Sequence, residues 1–233
     1  MEVAFIYRAV IFDFDNTLIN YHRCEREALR QTLVRHAVID GGEQSWEAFW
    51  GVYDPINWSY WERRHTLTRS ELTYHTFRDA LLGHLGDDSL AGELANTYWE
   101  LFCSLCYFEP GAHEALVHTA SKHRLGMITN GYGEAQRRRL DACGIADLFE
   151  ALIISDEAGM RKPDPRIFEL ALAEMGISRE EALFVGDSIA DDYEGARSVG
   201  IDFCFYNRDD CTLPREVTPK YEIHRLTEIM NLL

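Results

Sequence analysis

The sequence predicts an α/β fold, a parallel β-sheet covered by helices on both faces, with a helical segment inserted after the first strand. Short apolar strands alternate with helical stretches from Glu109 onward, which is typical of βαβ units. The interval 19–108 instead contains helical patterns and no convincing strand. We therefore expect a core of residues 1–18 and 109–233, interrupted by an all-helical segment of residues 19–108.

The core elements are predicted in a regular alternation. The apolar run 9–12 predicts a first strand that ends at Asp13. Further strands are expected at 125–129, 152–155, 183–186, 203–206 and 221–224, and helices near 112–122, 133–143, 165–175, 191–199 and 226–232. Because helices rather than tight turns join these strands, we expect a parallel sheet that is buried on both faces.

The inserted segment carries apolar residues at helical spacing. One such stripe consists of Leu90, Leu94, Tyr98, Leu101, Phe102 and Leu105. The segment 86–89 predicts a turn with a helix N-cap. Ligands of doubly wound sheets bind beyond the carboxyl ends of the strands, so an insertion that leaves from this edge is expected to cover the site.

The composition limits the partners of the protein. Of the 233 residues, 46% are hydrophobic and 27% are charged, and the formal net charge is −16. Such a surface repels nucleic-acid polymers and anionic membranes, but a metal ion and a few local cations can still attract a small phosphorylated compound. No apolar stretch approaches the roughly 20 residues of a membrane helix. Residues 1–8 lack the features of a signal peptide, so a cytoplasmic location is expected. The sequence gives no indication of the oligomeric state.

Six cysteines are scattered along the chain, and Cys103 and Cys106 form the only close pair. A zinc site or a redox motif would need a second pair or a thioredoxin-like context, and the sequence contains neither. We expect these two cysteines to be buried thiols on a helix.

Two carboxylates, Asp13 and Asp15, follow the first strand in the run Asp-Phe-Asp-Asn-Thr. Buried anions two residues apart repel each other, and a metal ion or a fixed proton would relieve that repulsion. Because Asp and Asn also favour turns, the motif by itself is equally compatible with an acidic strand-to-loop turn.

Three more loops place polar groups near the ends of predicted strands. Thr129, Asn130 and Gly131 end the second strand, and Lys162 precedes two prolines that begin a helix. The last loop is acidic and contains Asp187, Ser188, Asp191 and Asp192. Taken alone, these loops are also compatible with a strand-to-helix turn, a solvated basic turn and a capped helix start, respectively.

In this order the four loops resemble the motifs of the haloacid dehalogenase (HAD) superfamily of hydrolases and phosphotransferases. The matching motifs are D-x-D-x-T at 13–17, T-N-G at 129–131, K-P at 162–163 and G-D-S-x-x-D-D at 186–192. The resemblance extends over nearly the whole chain. It implies a Rossmann-like core, with residues 19–108 as a helical cap domain.

The resemblance also implies a role for each motif residue. Asp13 would be the nucleophile that forms an aspartyl-phosphate, and Asp15 would be the general acid and base. Thr129 and the backbone amides around Asn130 would bind the phosphoryl oxygens. Lys162 would offset the charge of the carboxylates and hold the nucleophile and the phosphate in register.

A divalent cation is expected because an anionic nucleophile attacks an anionic group, and magnesium suits a site made of oxygen ligands. By resemblance, the ligands of Mg²⁺ are the Asp13 carboxylate, the Asp15 backbone carbonyl and Asp187. Asp191 and Asp192 would orient the metal's waters or Lys162, and the sequence leaves open which of the two faces inward. Ser188 would contribute a hydrogen bond.

The acid at position 15 bears on the reaction type. The haloacid dehalogenases of this superfamily lack an acid at the position equivalent to Asp15 and need no magnesium. The presence of Asp15, together with the acidic loop at Asp187, therefore favours phosphatase chemistry over dehalogenation.

The substrate is less clearly indicated. Trp46, Trp50, Trp58 and Trp61 cluster in the predicted cap, where aromatic rings can stack on a nucleobase or pack the cap's own core; packing is the favoured interpretation. The chain resembles the branch that contains pyrimidine nucleotidases and sugar-phosphate phosphatases at Ile128–Gly131, Gln136, Arg138–Leu140, Ile154, Ser155 and the segment through Lys162–Pro163. The run Arg137–Arg139 is expected to form a solvated or ion-paired surface rather than a phosphate clamp.

The combined expectation is a magnesium-dependent phosphatase for small phosphate monoesters, with nucleoside monophosphates as the leading substrates. A phosphomutase acting on sugar phosphates would use the same Asp13 and Asp15, and so remains an alternative. A non-catalytic binding protein on this fold would be expected to lack a motif residue, and none is missing.

Overall fold

A computed structural model describes residues 7–63 and 66–233 of the chain. The prediction that the N-terminus carries no signal peptide rests mainly on residues 1–6, which lie outside the described residues. The chain forms two compact units. One contains the residues up to His22 and from Cys106 to Leu233, and the other contains Arg23–Leu105. The assignment of these units as catalytic core and cap stays a prediction.

The first unit contains a six-stranded sheet in which every pair of neighbours is parallel. The strands are β1 Ala9–Phe12, β2 Arg124–Thr129, β3 Ala151–Ile154, β4 Ala182–Gly186, β5 Asp202–Tyr206 and β6 Tyr221–Ile223. Their order in the sheet is β3-β2-β1-β4-β5-β6. The predicted α/β fold, a Rossmann-like parallel sheet flanked by helices, is confirmed.

Both faces of the central strands are buried. Ile11 and Phe184 project into a core that also contains Phe168, whereas the alternating residues Val10 and Phe12 are equally inaccessible to solvent. A strand buried on both faces has to be apolar along its whole length, which explains the unbroken run Ala-Val-Ile-Phe of β1. The flanking helices are α5 Ala112–Ala120, α6 Gly133–Cys143, α7 Ser155–Ala158, α8 Pro165–Met175 and α9 Glu194–Val199.

Two predicted helices of this unit take other forms. The segment predicted as a helix from residue 191 begins as one π-helical turn, Ile189–Tyr193, and continues as α9. The C-terminal segment predicted at 226–232 is a 3₁₀ helix, Leu226–Asn231. In both cases the polarity pattern indicates a helix, but it does not distinguish the hydrogen-bond spacing.

The second unit is helical, as the periodicity predicts. It contains most of α1 Tyr21–Arg35, together with α2 Glu43–Glu62, α3 Arg69–Leu85 and α4 Ala91–Ser104. The segment 86–89 is a turn, but the predicted N-cap is wrong: α4 has Leu90 at its N-cap position and no side-chain cap, while the Asp87 side chain accepts a hydrogen bond from Ser89 N. Asp87 satisfies that amide before the helix begins.

The tryptophans of α2 divide between packing and exposure. Trp46 is 2% exposed and packs with Trp50, and Arg26 stacks on the Trp50 ring at 4.4 Å. Trp58, in contrast, is 62% exposed. The packing interpretation therefore describes Trp46 and Trp50, and a role of Trp58 toward a substrate stays untested.

The expectation for the close cysteine pair is correct for Cys103 and wrong for Cys106. Cys103 is a buried thiol on α4, but Cys106 lies beyond the end of that helix and forms a disulfide with Cys143 at the end of α6. The sequence could not indicate this bond because its partners are 37 residues apart. The cytoplasmic location stays a prediction.

Among the described residues, none of the helices combines the length and apolar character that a membrane crossing requires.

Candidate active site

The site lies where three central strands end. Phe12, the last residue of β1, is aligned with Met127 of β2 and with Val185 of β4. Asp13 follows β1 and donates its backbone N–H to the Val185 carbonyl over 2.9 Å. Because parallel strands end at the same edge of the sheet, this register brings Asp13 near Thr129, which ends β2, and near Asp187, which follows β4.

A buried lysine joins two of the predicted aspartates. Lys162 Nζ donates to Asp13 Oδ1 and to Asp192 Oδ1, each over 2.6 Å, and all three side chains are at least nine-tenths buried. Burial acts to lower the pKa of Lys162, but attraction by the two carboxylates outweighs it, and the pKa lies above its usual range. The lysine is therefore a fixed cation.

One cation does not neutralise the acidic cluster. Carboxylate oxygens of Asp13, Asp187 and Asp192 all lie within 4.8 Å of one another. Burial, and then repulsion from Asp192, raises the pKa of Asp187 to about 7. The pKa of Asp13 also lies well above its usual range, because burial outweighs the opposing effect of Lys162. Three carboxylates around a single lysine leave excess negative charge in a buried place, and this donor set fits a divalent cation.

The partners of Asp192 distinguish it from the other two carboxylates. Its Oδ1 binds Lys162, and its Oδ2 accepts a hydrogen bond from Ser188 N over 3.0 Å. Gly186 packs so closely on this carboxylate that a Cβ at position 186 would collide with it. Asp13 and Asp187 are therefore the better candidates for metal ligands, and Asp192 holds the lysine.

The two adjacent aspartates of the last loop face different ways. Asp192 is 1% exposed and faces the site, whereas the Asp191 side chain is 35% exposed and accepts a hydrogen bond from Asn130 Nδ2 over 3.1 Å. Ser188 Oγ accepts from Asp191 N and so caps this turn. The inward residue, which the sequence left open, is Asp192.

The Asn130 side chain holds the backbone of Lys162 in place by two hydrogen bonds. Its side-chain oxygen accepts from Lys162 N over 3.0 Å, and its amide nitrogen donates to the Lys162 carbonyl over 3.1 Å. This pair of bonds fixes the backbone that presents Lys162, and the asparagine side chain is engaged there. That the backbone amides around Asn130 bind phosphate stays a prediction.

Thr17 is a site residue that the sequence reasoning used only as part of a motif. Its side chain is buried, and its Oγ1 donates to Asp187 Oδ1 over 3.2 Å. A hydroxyl donor at this position orients one oxygen of a predicted metal ligand. The threonine of D-x-D-x-T was the signal that could have indicated it.

Asp15 contacts helix α6 and does not join the acidic cluster. Its carboxylate accepts hydrogen bonds from Gln136 and Arg139. Arg139 is completely buried, so the expectation of a solvated surface is wrong for this residue. It is correct for Arg137 and Arg138, which form exposed ion pairs with glutamates on α7 and α6. Three adjacent helical residues point about 100° apart, and only the tertiary structure shows which one is buried.

A cavity of about 480 Å³ opens beyond the ends of β5 and β6. Tyr206, Arg208 and His224 line it together with Glu109, whose carboxylate accepts a hydrogen bond from Arg208 over 3.0 Å. Burial raises the pKa of Glu109, and Arg208 opposes this rise. The volume is in the range of cavities that bind small molecules.

This fold and these residues define a class of protein. Phosphoryl transfer through a carboxylate nucleophile needs three groups. They are a buried carboxylate held by a lysine (Asp13), an acidic pair that suits a divalent cation (Asp13 and Asp187) and a further carboxylate that can exchange a proton (Asp15).

Comparison with known proteins agrees with that class. A family model for haloacid dehalogenase-like hydrolases matches residues 7–200. The pyrimidine 5'-nucleotidase PynA of Streptococcus pneumoniae is 28% identical over 231 residues, covering 97% of this chain and 95% of that protein. A glyceraldehyde 3-phosphate phosphatase of Pyrococcus abyssi is 28% identical over 211 residues, covering 83% of this chain and 79% of that protein.

A solved structure gives the same result for the fold. The HAD-hydrolase YfnB of Bacillus subtilis, described as bound to magnesium, has a TM-score of 0.80 and 26% identity, covering 97% of this chain and 98% of that chain. The chain belongs to the haloacid dehalogenase-like hydrolases.

Proposed function

We propose that this protein is a magnesium-dependent phosphatase that hydrolyses small phosphate monoesters through an aspartyl-phosphate, with nucleoside monophosphates as the leading substrates. The observation that carries the proposal is the lysine bridge: Lys162 holds Asp13 and Asp192 at 2.6 Å each, next to Asp187. Lys162 fixes the Asp13 carboxylate in place, and the negative charge of Asp187 beside it suits a metal ion. With that ion bound, Asp13 would be suited to attack phosphorus.

The first half-reaction transfers the phosphoryl group to the protein. Because Asp13 Oδ1 accepts the bond from Lys162, we assign Oδ2 as the attacking oxygen. A bond forms from Oδ2 to phosphorus while the bond from phosphorus to the ester oxygen breaks. Asp15 donates a proton to that oxygen, and the alcohol leaves. Lys162 keeps the nucleophile in place and balances the charge on the phosphoryl oxygens.

The second half-reaction releases phosphate. Asp15, now ionised, accepts a proton from water as the water oxygen bonds to phosphorus. The bond from phosphorus to Asp13 breaks, and inorganic phosphate and the free carboxylate result. Thr129 and the backbone amides near Asn130 bind the phosphoryl oxygens in both halves.

The metal site consists of Asp13 and Asp187, together with the backbone carbonyl of Asp15. A bound magnesium ion would neutralise the charge on the transferring group and so lower the repulsion that the nucleophile meets. Thr17 orients Asp187 by its hydrogen bond, and Asp192 is kept from this role by its bonds to Lys162 and Ser188.

The relatives support the substrate class. One is named a nucleotidase and another a triose-phosphate phosphatase, so small phosphorylated metabolites are common to both. We infer nucleoside monophosphates because one relative that matches nearly the whole chain is named a pyrimidine 5'-nucleotidase.

A substrate panel with magnesium tests the proposal. Phosphate release from nucleoside monophosphates, sugar phosphates and 4-nitrophenyl phosphate should depend on Mg²⁺ and stop on addition of EDTA. Asp13→Asn and Asp15→Asn should each lower kcat by at least about 100-fold, because each removes a group that makes or breaks a bond. Asp141→Asn on the exposed surface of α6 is the matched control and should retain full activity.

Two outcomes would contradict the proposal. Undiminished turnover by Asp13→Asn would rule out the nucleophile. Transfer of the phosphoryl group to a second sugar, measured with a bisphosphate primer, in place of release to water would identify the protein as a phosphomutase.

A further inference from the structure

We propose that Gln136 and Arg139 on α6 are positioning residues for Asp15, and that Gln136 links this acid to the phosphate-binding Thr129. The inference rests on the proposed function, because it assigns roles within the same reaction. It adds two residues that belong to none of the four sequence motifs.

Arg139 provides the fixed end of this arrangement. Its Nη1 donates to Asp15 Oδ1 over 2.6 Å, and its side chain is completely buried, while that of Asp15 is 22% exposed. The guanidinium also stacks on the Phe14 ring at 5.1 Å. A buried guanidinium stays charged, and its bond to Oδ1 can persist whether or not Oδ2 carries a proton. The ion pair fixes Oδ1 of the acid from the protein side.

Gln136 has partners on three sides. Its Nε2 donates to Asp15 Oδ2 over 2.8 Å and to Thr129 Oγ1 over 2.7 Å. Its Oε1 accepts from Arg139 Nη1 over 3.1 Å. An amide nitrogen has two hydrogens, so both donors are used, and the bond from Arg139 sets which end of the amide carries them. Gln136 itself is 2% exposed, so these partners are not exchanged freely for water.

Two features of the chain make this contact geometrically feasible. Gln136 and Arg139 are three residues apart on α6, which places them on the same side of the helix. Gly131 provides the space, because a Cβ at that position would lie only 2.7 Å from Gln136 Nε2. The glycine of the T-N-G motif thus allows the amide to approach the end of β2.

The two bonds to Asp15 have different consequences for proton transfer. Arg139 carries a full charge and holds Oδ1, whereas the neutral Gln136 holds Oδ2 by the weaker kind of bond. We therefore assign Oδ2 as the oxygen that gives its proton to the leaving alcohol and later takes one from water. Gln136 is hydrogen-bonded to Asp15 Oδ2 until the ester oxygen of the substrate takes its place. Gln136 keeps its other hydrogen bond, to Thr129, throughout.

The test separates positioning of the acid from mere support of the fold. The nitrophenolate of 4-nitrophenyl phosphate is a good leaving group and departs without a proton from an acid. The alkoxide of an alkyl ester such as glycerol 1-phosphate is a poor leaving group and needs that proton. Arg139→Met and Gln136→Leu should lower kcat/KM for the alkyl ester by about 10- to 100-fold, and for the aryl ester by less than about 3-fold. Arg139→Lys, which keeps the charge, should recover part of the loss.

Pre-steady-state kinetics give a second readout. Because Asp15 also activates the water, the aspartyl-phosphate should accumulate in both variants. Mixing with 4-nitrophenyl phosphate should then give a burst of nitrophenolate close to one per protein molecule, followed by slow turnover. Arg138→Gln, a substitution of the exposed neighbour on α6, is the control and should behave as the wild type.

The results that would overturn the inference are distinct from those that concern the proposed function. Equal losses of kcat/KM for both esters, without a burst, would show that the pair only supports the fold. If Arg139→Met does not fold, Gln136→Leu and Arg139→Lys decide by the same criteria. A wild-type protein that releases no phosphate from any ester would overturn the proposed function and this inference together.

Discussion

The side chains of the site differ in how their charge is compensated. Asp13 and Asp192 have a lysine in common, Asp187 has only a threonine hydroxyl, and Asp15 has an arginine. Among these four carboxylates, Asp187 is therefore the one for which the described residues supply no cation as a hydrogen-bond partner. This is the carboxylate whose pKa rises to about 7, and it lies where the proposed metal ion would be bound.

Substitution of Lys162 by Met tests the balance of charge. The change leaves Asp13 and Asp192 buried without their cation, and we expect a loss of about 3–5 kcal/mol in the free energy of unfolding. Lys162 lowers the pKa of Asp13, so its removal raises that pKa further above the value in the unfolded chain. The folded state then binds the proton more tightly, and the variant should lose stability as the pH rises from 5 to 8.

Urea unfolding in EDTA at several pH values measures this effect. Arg161→Met is the matched control, because Arg161 is about half exposed and lies 3.6 Å from Asp191. It should change the free energy of unfolding by less than about 1 kcal/mol at each pH. A Lys162→Met variant as stable as the wild type at pH 8 would show that the carboxylates do not depend on this lysine.

At the level of single residues, sequence reasoning found the motif side chains and missed their partners. Asp13, Lys162 and Asp187 could be predicted because their spacing relative to predicted strands has chemical meaning. Gln136 and Arg139 entered only through the resemblance to one branch of the family, and their contacts with Asp15 could not be predicted, because an amide and one of three consecutive arginines have no such spacing. Their role depends on which side of α6 packs against Asp15, and that is set by tertiary packing.

Among the elements, α3 shows how local sequence fixes a helix start. Thr68 Oγ1 accepts from Glu71 N over 3.3 Å, and the Glu71 carboxylate accepts from Thr68 N over 2.8 Å. This capping box satisfies two backbone groups that the first turn leaves without partners. At the other end, Gly86 adopts a φ of 74°, which ends the helix in the left-handed conformation.

Removal of this cap by Thr68→Ala should destabilise the protein by about 1 kcal/mol. The expected signature is faster hydrogen exchange at the Glu71 amide, together with a lower urea midpoint. Ser70→Ala, two residues further on and exposed, is the comparison and should leave both unchanged. An unchanged Glu71 exchange rate in Thr68→Ala would mean that the cap contributes nothing.

Strand and helix positions were largely predictable, but the irregular elements were not. Each core strand is found within one or two residues of its expected bounds, because buried parallel strands are continuous apolar runs. The π-helical turn Ile189–Tyr193 includes the last two aspartates of the acidic loop. Its conformation depends on the contacts of Asp192 with Lys162 and Ser188. The contact with Lys162 joins residues that are 30 positions apart in the sequence, so the local pattern does not contain it.

For the whole molecule, a long-range covalent bond adds to the packing of the first unit. The Cys106–Cys143 disulfide connects the segment that follows α4 with the end of α6, the helix that contacts Asp15. Closing a loop of this length reduces the conformational freedom of the unfolded chain. The bond thus stabilises the fold and restrains α6 at the end opposite to its N-terminus.

Cys143→Ser should lower the free energy of unfolding by about 2–4 kcal/mol relative to the oxidised wild type. Dithiothreitol should produce the same loss in the wild type and none in the variant. Cys211→Ser removes an exposed free cysteine and is the control, with no expected change. Mass spectrometry of the native protein that finds both Cys106 and Cys143 as free thiols would contradict the assignment.

The contacts of Gln136 have a direction as well as a position. Arg139 donates to the Gln136 oxygen, and the Gln136 nitrogen donates to the Thr129 oxygen. The hydrogen bonds in this series of three side chains all point the same way, and aligned hydrogen bonds polarise one another. The Thr129 hydroxyl is the last member, so its hydrogen becomes more positive than in an isolated threonine. In the proposed reaction, where Thr129 binds the phosphate, the positive potential of a buried guanidinium would thereby reach a phosphoryl oxygen, although the guanidinium itself stays inside the protein.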